Sequence, residues 1–331
     1  MDNSTNKSKN FIINLRDKML SLFSYVKMPV DNLCSHFPKL LSKLQNVADS
    51  NLKLGLFHLE EGNINDAILR FKLVNKYLST GNKTASYWLG WCYIIKQQFH
   101  KSREYFCQNG EHPELVRLTE NIKNVPNIAA DIYSIRRNIQ PIDFIDKFSS
   151  EEHNLAQIMV KNFIKLADLP DDYRILELES GPGWLSQELK LRLQGNFHFT
   201  STESCNKLIE MQQYLYPDKK WPDLMVCNTV EEYVLTEHQR YDAIFSLDGF
   251  AHDSDLEEFF TSIYDLITDH GYFSFAVRIS ENTHLSTKLL EYSYKEEQIT
   301  NILRNNEFRI LYNQQFMLEN KNTYNIFICR K

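Results

Sequence analysis

Apolar residues in the first part of the chain recur at steps of three and four, the spacing that places side chains on one face of an α-helix. Two such stripes are present, one at Ile12, Leu15, Met19, Leu22 and Val26 and the other at Leu33, Phe37, Leu40, Leu44 and Val47. They predict two amphipathic helices, whose apolar faces either cover a protein core or lie on a membrane surface. Residues 1–10 are polar and are predicted to form a disordered tail.

A sequence repeat follows these helices. Leu54-Gly55 recurs as Leu89-Gly90, Ala67 recurs as Ser102, and Phe71 recurs as Phe106, each at an offset of 35 residues. A period of about 34 residues with these residue types is typical of tetratricopeptide repeats, in which small residues let two helices approach closely. Residues 51–108 therefore resemble two such repeats. Stacked repeats bind a protein partner on their concave face, or here they serve only to support the second half of the chain.

The pattern of the second half changes to short apolar runs separated by helical stripes. Arg174–Glu179 reads as a strand, Ser180–Gly183 as a turn, and the residues from Trp184 onward as a helix. A strand, a glycine-rich turn and a helix cradle a nucleotide-like ligand at the carboxyl edge of an open parallel sheet. Glu177 and Glu179 end a strand that should be buried on both faces, so we expect their carboxylates to face a polar site.

Further strands are predicted at Phe197–Thr202, Leu224–Asn228, Tyr241–Leu247, Tyr272–Val277, Phe308–Tyr312 and Tyr324–Cys329, the last two as a hairpin-like pair. A helix carrying apolar residues from Leu256 to Ile267 is predicted to end at Gly271. Glu203 directly follows the second strand and lies about 20 residues after the glycine turn. In such folds an acidic residue at this distance binds the ribose hydroxyls.

Charge divides the chain at the same place as the hydrophobic pattern. Residues 1–150 carry a net charge of +6 and residues 151–331 a net charge of −12, within a total length of 331 residues. The basic half has no dense lysine or arginine stripe, so nucleic-acid binding is not indicated. No apolar run is long enough for a membrane span. The six cysteines have no metal-ligand spacing, which predicts no metal site and free thiols in a cytoplasmic protein.

The segment Ile175–Gly183 resembles the first motif of class I S-adenosylmethionine-dependent methyltransferases. Tyr241–Ser246 and Gly271–Phe275 resemble the fourth and fifth strands of that family, and the stretch from Glu297 to Leu311 resembles its last helix and sixth strand. The resemblance covers residues 150–331. Together with the repeats, the whole chain resembles the tetratricopeptide-containing methyltransferases of bacteria.

This resemblance implies an α/β fold, with a seven-stranded Rossmann-like methyltransferase sheet whose last strand is antiparallel, preceded by an all-α tetratricopeptide-like domain. The expected limits are a helical domain at 11–125, a linker at 126–150 and the methyltransferase-like domain at 151–331. The implied cofactor is S-adenosylmethionine. The implied cofactor-binding residues are Glu177 for the amino end, Glu179, Gly181 and Gly183 in the turn under the methionine part, Glu203 for the ribose, Asn228 for the adenine, and the carbonyls of Ser246 and Leu247.

Glu179 departs from the family pattern, because relatives have glycine there and a side chain adds bulk and charge where the backbone should be bare. We expect weaker cofactor binding as a result. His252 follows the fourth strand and is the candidate catalytic base, against the alternative of a loop histidine bonded to a neighbour.

Three functional interpretations follow. The first is a methyltransferase of unknown acceptor, recruited through the repeats. The second is a catalytically degenerate methyltransferase fold that acts as a protein-binding scaffold, which the change at Glu179 favours. The third is nicotinamide binding, because Gly181, Gly183 and Ser186 imitate the GxGxxG pattern without its last glycine.

Overall fold

A computed structural model describes residues 30–139, 150–215, 222–318 and 322–331 of the chain. The tail and the first amphipathic helix predicted from the sequence lie outside these residues. The chain forms two compact units. The helical unit comprises the described residues up to Leu59 together with Asn63–Ile94 and Gln98–Arg117, and the α/β unit comprises Glu60–Gly62, Ile95–Gln97 and Leu118–Lys331.

The helical unit is built from consecutive helices with short connections. They are α1 (Val30–Glu60), α2 (Ile64–Leu73), α3 (Lys83–Ile95), α4 (Phe99–Asn109) and α5 (Pro113–Glu120), with a π-helical turn at Val74–Leu78 after α2. α4 is capped by Gly110, which has a φ of 72° and whose amide donates a hydrogen bond to the Phe106 carbonyl. None of the described helices is both long and apolar enough to cross a bilayer.

The two glycines of the sequence repeat make equivalent contacts. A Cβ atom placed on Gly55 would lie 2.5 Å from Cε1 of Phe71, and one on Gly90 would overlap the Phe106 ring in the same way. Ser102 donates a hydrogen bond to the carbonyl of Gly90 at 2.8 Å, which fixes the same pair of helices. The 35-residue offset therefore corresponds to a repeated helix–helix contact, while the tetratricopeptide identity of this unit stays a prediction.

The α/β unit alternates helices and strands along most of its length. Its elements are α6 (Ala130–Ile139), α7 (Ser150–Leu166), β1 (Asp172–Leu178), α8 (Trp184–Arg192), β2 (Asn196–Thr202), α9 (Asn206–Leu215), β3 (Leu224–Val226), α10 (Val230–Thr236), β4 (Tyr241–Leu247), α11 (Glu257–Leu266), β5 (Ile267–Ile279), β6 (His284–Ser286), β7 (Glu291–Ser293), α12 (Glu296–Asn305), β8 (Arg309–Met317) and β9 (Thr323–Arg330). A short 3-10 helix at Ile122–Asn124 precedes α6.

Seven of these strands form one mixed sheet in the order β3-β2-β1-β4-β5-β9-β8. Strands β1 to β5 are parallel, and β9 is antiparallel to both of its neighbours. The expected α/β sheet of seven strands with an antiparallel last strand is confirmed. Its direction of winding reverses between β1 and β4, which is the position where open α/β sheets bind their ligands.

The central strands are apolar because helices cover them. Phe163 of α7 is fully buried and packs edge-on against Phe245 of β4, with ring centroids 4.7 Å apart, and against Tyr272 of β5. The edge strand β8 contains only exposed and half-buried residues instead. This core holds the carboxyl ends of β1 and β4 next to each other.

Three features differ from the sequence prediction. α11 ends at Leu266 rather than Gly271, because Ile267 already pairs with Tyr241 in the sheet and begins the long strand β5. The short antiparallel pair of β6 and β7 has no counterpart among the predicted strands. Residues 126–150 were expected to be a linker, but the part of them that the structure describes includes α6, and α6 belongs to the α/β unit.

Candidate functional site

The glycine turn lies between β1 and α8, where the sequence predicts it. Gly181 and Gly183 have φ values of 55° and 87°, a region that favours glycine, and Gly183 is the N-cap of α8. The turn is held by backbone hydrogen bonds from Ser180 to the Thr202 carbonyl at 2.9 Å and from Gly183 to the Ser180 carbonyl at 3.0 Å. It is therefore tied to the end of β2 as well as to β1.

Glu203 lies immediately after β2 and contacts this turn directly. Its Oε2 atom accepts a hydrogen bond from the Gly181 amide at 2.7 Å, and its Oε1 atom accepts one from the Cys205 amide at 2.7 Å. The side chain is fully buried. The structure thus brings together the acidic residue and the glycine turn that were selected from the sequence.

Glu177 is a second fully buried carboxylate on β1. Its Oε2 atom accepts hydrogen bonds from the hydroxyls of Ser186 and Ser201, while its Oε1 atom is buried and has no hydrogen-bond partner among the described residues. Burial raises the pKa of Glu177 to about 8, against the opposing effect of the two serines. This carboxyl group can therefore bind a proton near neutral pH.

Glu179 adopts a backbone conformation that suits glycine better, with a φ of 53°. Its carboxylate is paired with Arg137 and accepts a hydrogen bond from the Ser204 hydroxyl at 3.2 Å. Burial and the neighbouring Glu203 raise the pKa of Glu179, and Arg137 opposes them. The residue thus has a backbone geometry that favours glycine and directs its charge to an arginine.

That arginine belongs to α6 and is not among the residues predicted from the sequence. Arg137 is 3% exposed, and its guanidinium lies 3.2 Å from both Glu203 oxygens in addition to pairing with Glu179. It also lies over the ring of Tyr133, 5.5 Å from the centroid. The available signal was weak: an adjacent arginine pair, Arg136 and Arg137, in a segment read as a linker, with no local pattern pointing to carboxylates far along the chain.

The end of β4 closes the site from the other side of β1. The Ser246 hydroxyl donates to the Leu178 carbonyl at 3.2 Å and accepts from the Gly249 amide at 3.1 Å, and Leu247 is buried beside it. A Cβ atom on Gly249 would lie 2.8 Å from the Leu178 carbonyl oxygen. Gly249 is a second residue that sequence reasoning missed, and its role is to let this loop approach the glycine turn.

Asn228 follows β3 and is half-buried. Its side-chain oxygen accepts a hydrogen bond from the Thr229 amide at 2.9 Å, next to the start of α10. Its proposed contact with a ligand stays a prediction.

His252 is 5% exposed and lies in the loop after β4. Its Nε2 atom is paired with a carboxylate oxygen of Glu231, and its ring stacks on Tyr133 with centroids 5.1 Å apart. Its Nδ1 atom is buried without a hydrogen-bond partner among the described residues. Burial opposes ionisation of Glu231, but the hydrogen bond from His252 leaves the pKa of Glu231 below its ordinary value. A carboxylate that orients one ring nitrogen leaves the other available as a base.

A cavity of about 300 Å³ opens next to this pair, between α10 and α11. Its wall combines apolar side chains with carboxylates, namely Val234, Leu235, Phe250, Leu256, Phe259, Glu231, Asp253, Asp255 and Glu258, together with Ser262. It shares Glu231 with the histidine pair.

No protein-family model and no curated protein matches the chain. Solved structures match it at low sequence identity. Phosphoethanolamine N-methyltransferase 2 of Haemonchus contortus, in complex with phosphomonomethylethanolamine and S-adenosylhomocysteine, is 15% identical over 54% of this chain, with a TM-score of 0.44, and this chain spans only 52% of that protein. The 1,6-didemethyltoxoflavin-N1-methyltransferase of Burkholderia thailandensis, with bound S-adenosylhomocysteine, is 18% identical over 63% of this chain and 92% of its own, with a TM-score of 0.47.

Magnesium protoporphyrin IX methyltransferase of Synechocystis PCC 6803, with bound SAM, is 14% identical over 63% of this chain and 99% of its own, with a TM-score of 0.47. These similarities are low in identity and in TM-score. The functional assignment therefore depends on the strand order and the side chains of this chain.

Proposed function

We propose that the α/β unit binds S-adenosylmethionine and transfers its methyl group to an acceptor that is not yet identified. The observation that carries this proposal is the bond between Glu203 and the Gly181 amide at the reversal point of the sheet. It places a carboxylate that can bind ribose hydroxyls beside a turn whose backbone can approach a ligand, at the edge where open α/β sheets bind nucleotides.

The chemistry of the surrounding residues fits this cofactor. Glu177 has a buried oxygen with no partner among the described residues, which suits an ammonium group that donates hydrogen bonds. The cofactor is positively charged at both its sulfonium and its ammonium, so three carboxylates in the turn region, Glu177, Glu179 and Glu203, are compatible with it.

The bound cofactor would supply an electrophilic methyl group. The chain would hold the acceptor in line with that group, which accounts for much of the rate in such displacements. For an acceptor that must lose a proton, His252 is the proposed base, with Glu231 orienting its ring through Nε2. We further propose that the protein is cytoplasmic and that the helical unit, with its repeated glycine–phenylalanine contacts, presents a surface to a protein partner.

Titration calorimetry with the full chain tests cofactor binding. S-adenosylmethionine and S-adenosylhomocysteine should both bind, whereas NADH should not. Glu203→Gln should weaken binding about tenfold or more, because it removes a charged hydrogen-bond acceptor for the ribose. The matched control is Asp172→Asn, which changes an exposed carboxylate at the opposite end of β1 and should leave affinity unchanged.

The proposal is wrong if neither adenosyl ligand releases or absorbs heat, or if Glu203→Gln binds them as tightly as the wild-type chain. Binding of NADH in preference to both would instead support the nicotinamide interpretation of the glycine turn.

A further inference from the structure

The carboxylate of Glu203 already has its acceptor positions filled by the chain itself. A carboxylate offers about four lone-pair positions to hydrogen-bond donors. The amides of Gly181 and Cys205 take one position on each oxygen, and the guanidinium of Arg137 lies 3.2 Å from each oxygen as well. A ribose diol has two hydroxyl donors, so it needs the two positions that Arg137 occupies.

Two side chains contact Arg137 beside Glu203, and Arg137 is buried there. Glu179 pairs with the same guanidinium, Tyr133 provides an aromatic face on its own helix, and the surrounding residues leave only 3% of Arg137 exposed. α6 also places Tyr133 over His252, so a single helix covers both the glycine turn and the candidate base. Arg137 is the cation that balances the adjacent carboxylates of Glu179 and Glu203 in the structure as it stands.

We propose that Arg137 is a gating residue of the cofactor site, and that an adenosyl ligand binds Glu203 only by displacing the Arg137 guanidinium. This inference rests on the proposed function, since it assumes that Glu203 binds the ribose. It assigns Glu179 a different role from the one expected from sequence. Glu179 shares the Arg137 guanidinium with Glu203, and the guanidinium on Glu203, rather than the bulk of the Glu179 side chain, limits ligand binding.

The two roles of Glu179 make opposite predictions for one pair of variants. If bulk at position 179 is the obstacle, Glu179→Gly alone restores the pocket. If Arg137 is the obstacle, Glu179→Gly alone leaves the guanidinium on Glu203, and affinity rises only when Arg137 is removed too. The double variant Arg137→Met with Glu179→Gly is the better test than Arg137→Met alone, because the single change would leave two buried carboxylates without their cation.

We would titrate S-adenosylhomocysteine into the full-length wild-type chain, Glu179→Gly, and the double variant. The double variant should bind at least about tenfold more tightly than the wild-type chain, because the contacts of the Arg137 guanidinium with the two Glu203 oxygens no longer have to be broken. Glu179→Gly should stay within about threefold of the wild-type affinity. Circular dichroism and the unfolding temperature of each variant establish that it is folded.

The control is Arg192→Met, which removes an arginine that pairs with Glu188 on α8 and makes no contact with Glu203 among the described residues; its affinity should equal that of the wild-type chain. Two results overturn the gating role: a double variant that binds no more tightly than the wild-type chain, and a Glu179→Gly variant that binds as tightly as the double variant. The proposed function fails separately, if none of the folded variants binds S-adenosylhomocysteine at all.

Discussion

In the helical unit, Gly55 and Gly90 each lie against a phenylalanine ring in a helix with ordinary backbone angles, whereas Gly181 and Gly183 of the α/β unit lie in a turn with positive φ. The first pair is needed because a side chain would collide with a neighbour. The second pair is needed because a side chain would strain the backbone itself.

Glu179 shows how the second requirement can be relaxed. It has a φ of 53° at a position where a non-glycine residue costs about 1–2 kcal/mol, and its buried carboxylate is paired with Arg137 and bonded by Ser204. At the helical contacts both positions, Gly55 and Gly90, are glycine. A packing glycine has no electrostatic substitute, while a turn position can accept a charged residue when a distant part of the chain supplies the opposite charge.

The largest effect on stability should come from removing a phenylalanine ring from the repeated helix–helix contact. Phe106→Ala removes a fully buried ring that fills the space over Gly90, and should lower the free energy of unfolding by about 3–5 kcal/mol. Leu69→Ala, at a position that is 64% exposed on α2, is the control and should change it by less than about 0.5 kcal/mol. Urea unfolding followed by circular dichroism measures both. A loss below about 1 kcal/mol for Phe106→Ala would show that the contact is not a packed core.

A smaller effect should appear as a pH dependence of the free energy of unfolding that arises from a buried carboxyl group of the α/β unit. Glu177 has a folded pKa of about 8 against 4.5 in the unfolded chain, so the folded state binds the proton more tightly. Stability from this group is therefore present below the unfolded pKa and declines as pH rises toward the folded pKa. Between pH 6 and pH 8 this group alone should contribute a loss of about 2 kcal/mol, so the decline should be smaller by that amount in Glu177→Gln, where the raised pKa of Glu179 still contributes.

Glu111 of the helical unit is the matched control for that experiment. It is exposed, and its hydrogen bond from Lys83 lowers its pKa rather than raising it. Glu111→Gln should therefore keep the wild-type decline between pH 6 and pH 8. If the wild-type and Glu177→Gln chains lose stability in parallel over this range, Glu177 does not take up a proton in the folded state.

Local sequence patterns were sufficient to predict several elements of the fold and part of the candidate site. The strand–turn–helix segment around Gly181 was readable because each element is set by its neighbours in sequence. Glu203 was found from its distance after the turn, and the structure places it against Gly181. The antiparallel position of the last strand came from the family resemblance rather than from any pattern in the residues.

The parts that could not be read depend on contacts between distant segments. Arg137 reaches Glu179 and Glu203 across 42 and 66 residues, and nothing near Arg137 in sequence indicates a carboxylate partner. Gly249 is required by the approach of its loop to Leu178, a contact that exists only once β1 and β4 are adjacent. The start of β5 at Ile267 was missed because sheet pairing with Tyr241 overrides a helical stripe.

The smallest expected effect compares two positive-φ glycines, one from each unit. Gly110→Ala in the helical unit should cost about 1 kcal/mol, because its φ is 72° but a Cβ there would meet nothing within 4 Å. Gly183→Ala should cost slightly more, about 1–2 kcal/mol, because its φ is 87° and the Cβ would also lie 3.2 Å from Cγ of Gln212.

Gln212 in turn donates a hydrogen bond to the Gly181 carbonyl, so Gly183→Ala should also weaken S-adenosylhomocysteine binding, whereas Gly110→Ala should not. Equal losses of stability together with unchanged ligand affinity in both variants would mean that Gln212 moves aside freely, and that the turn near Gly183 is less constrained than its hydrogen bonds indicate.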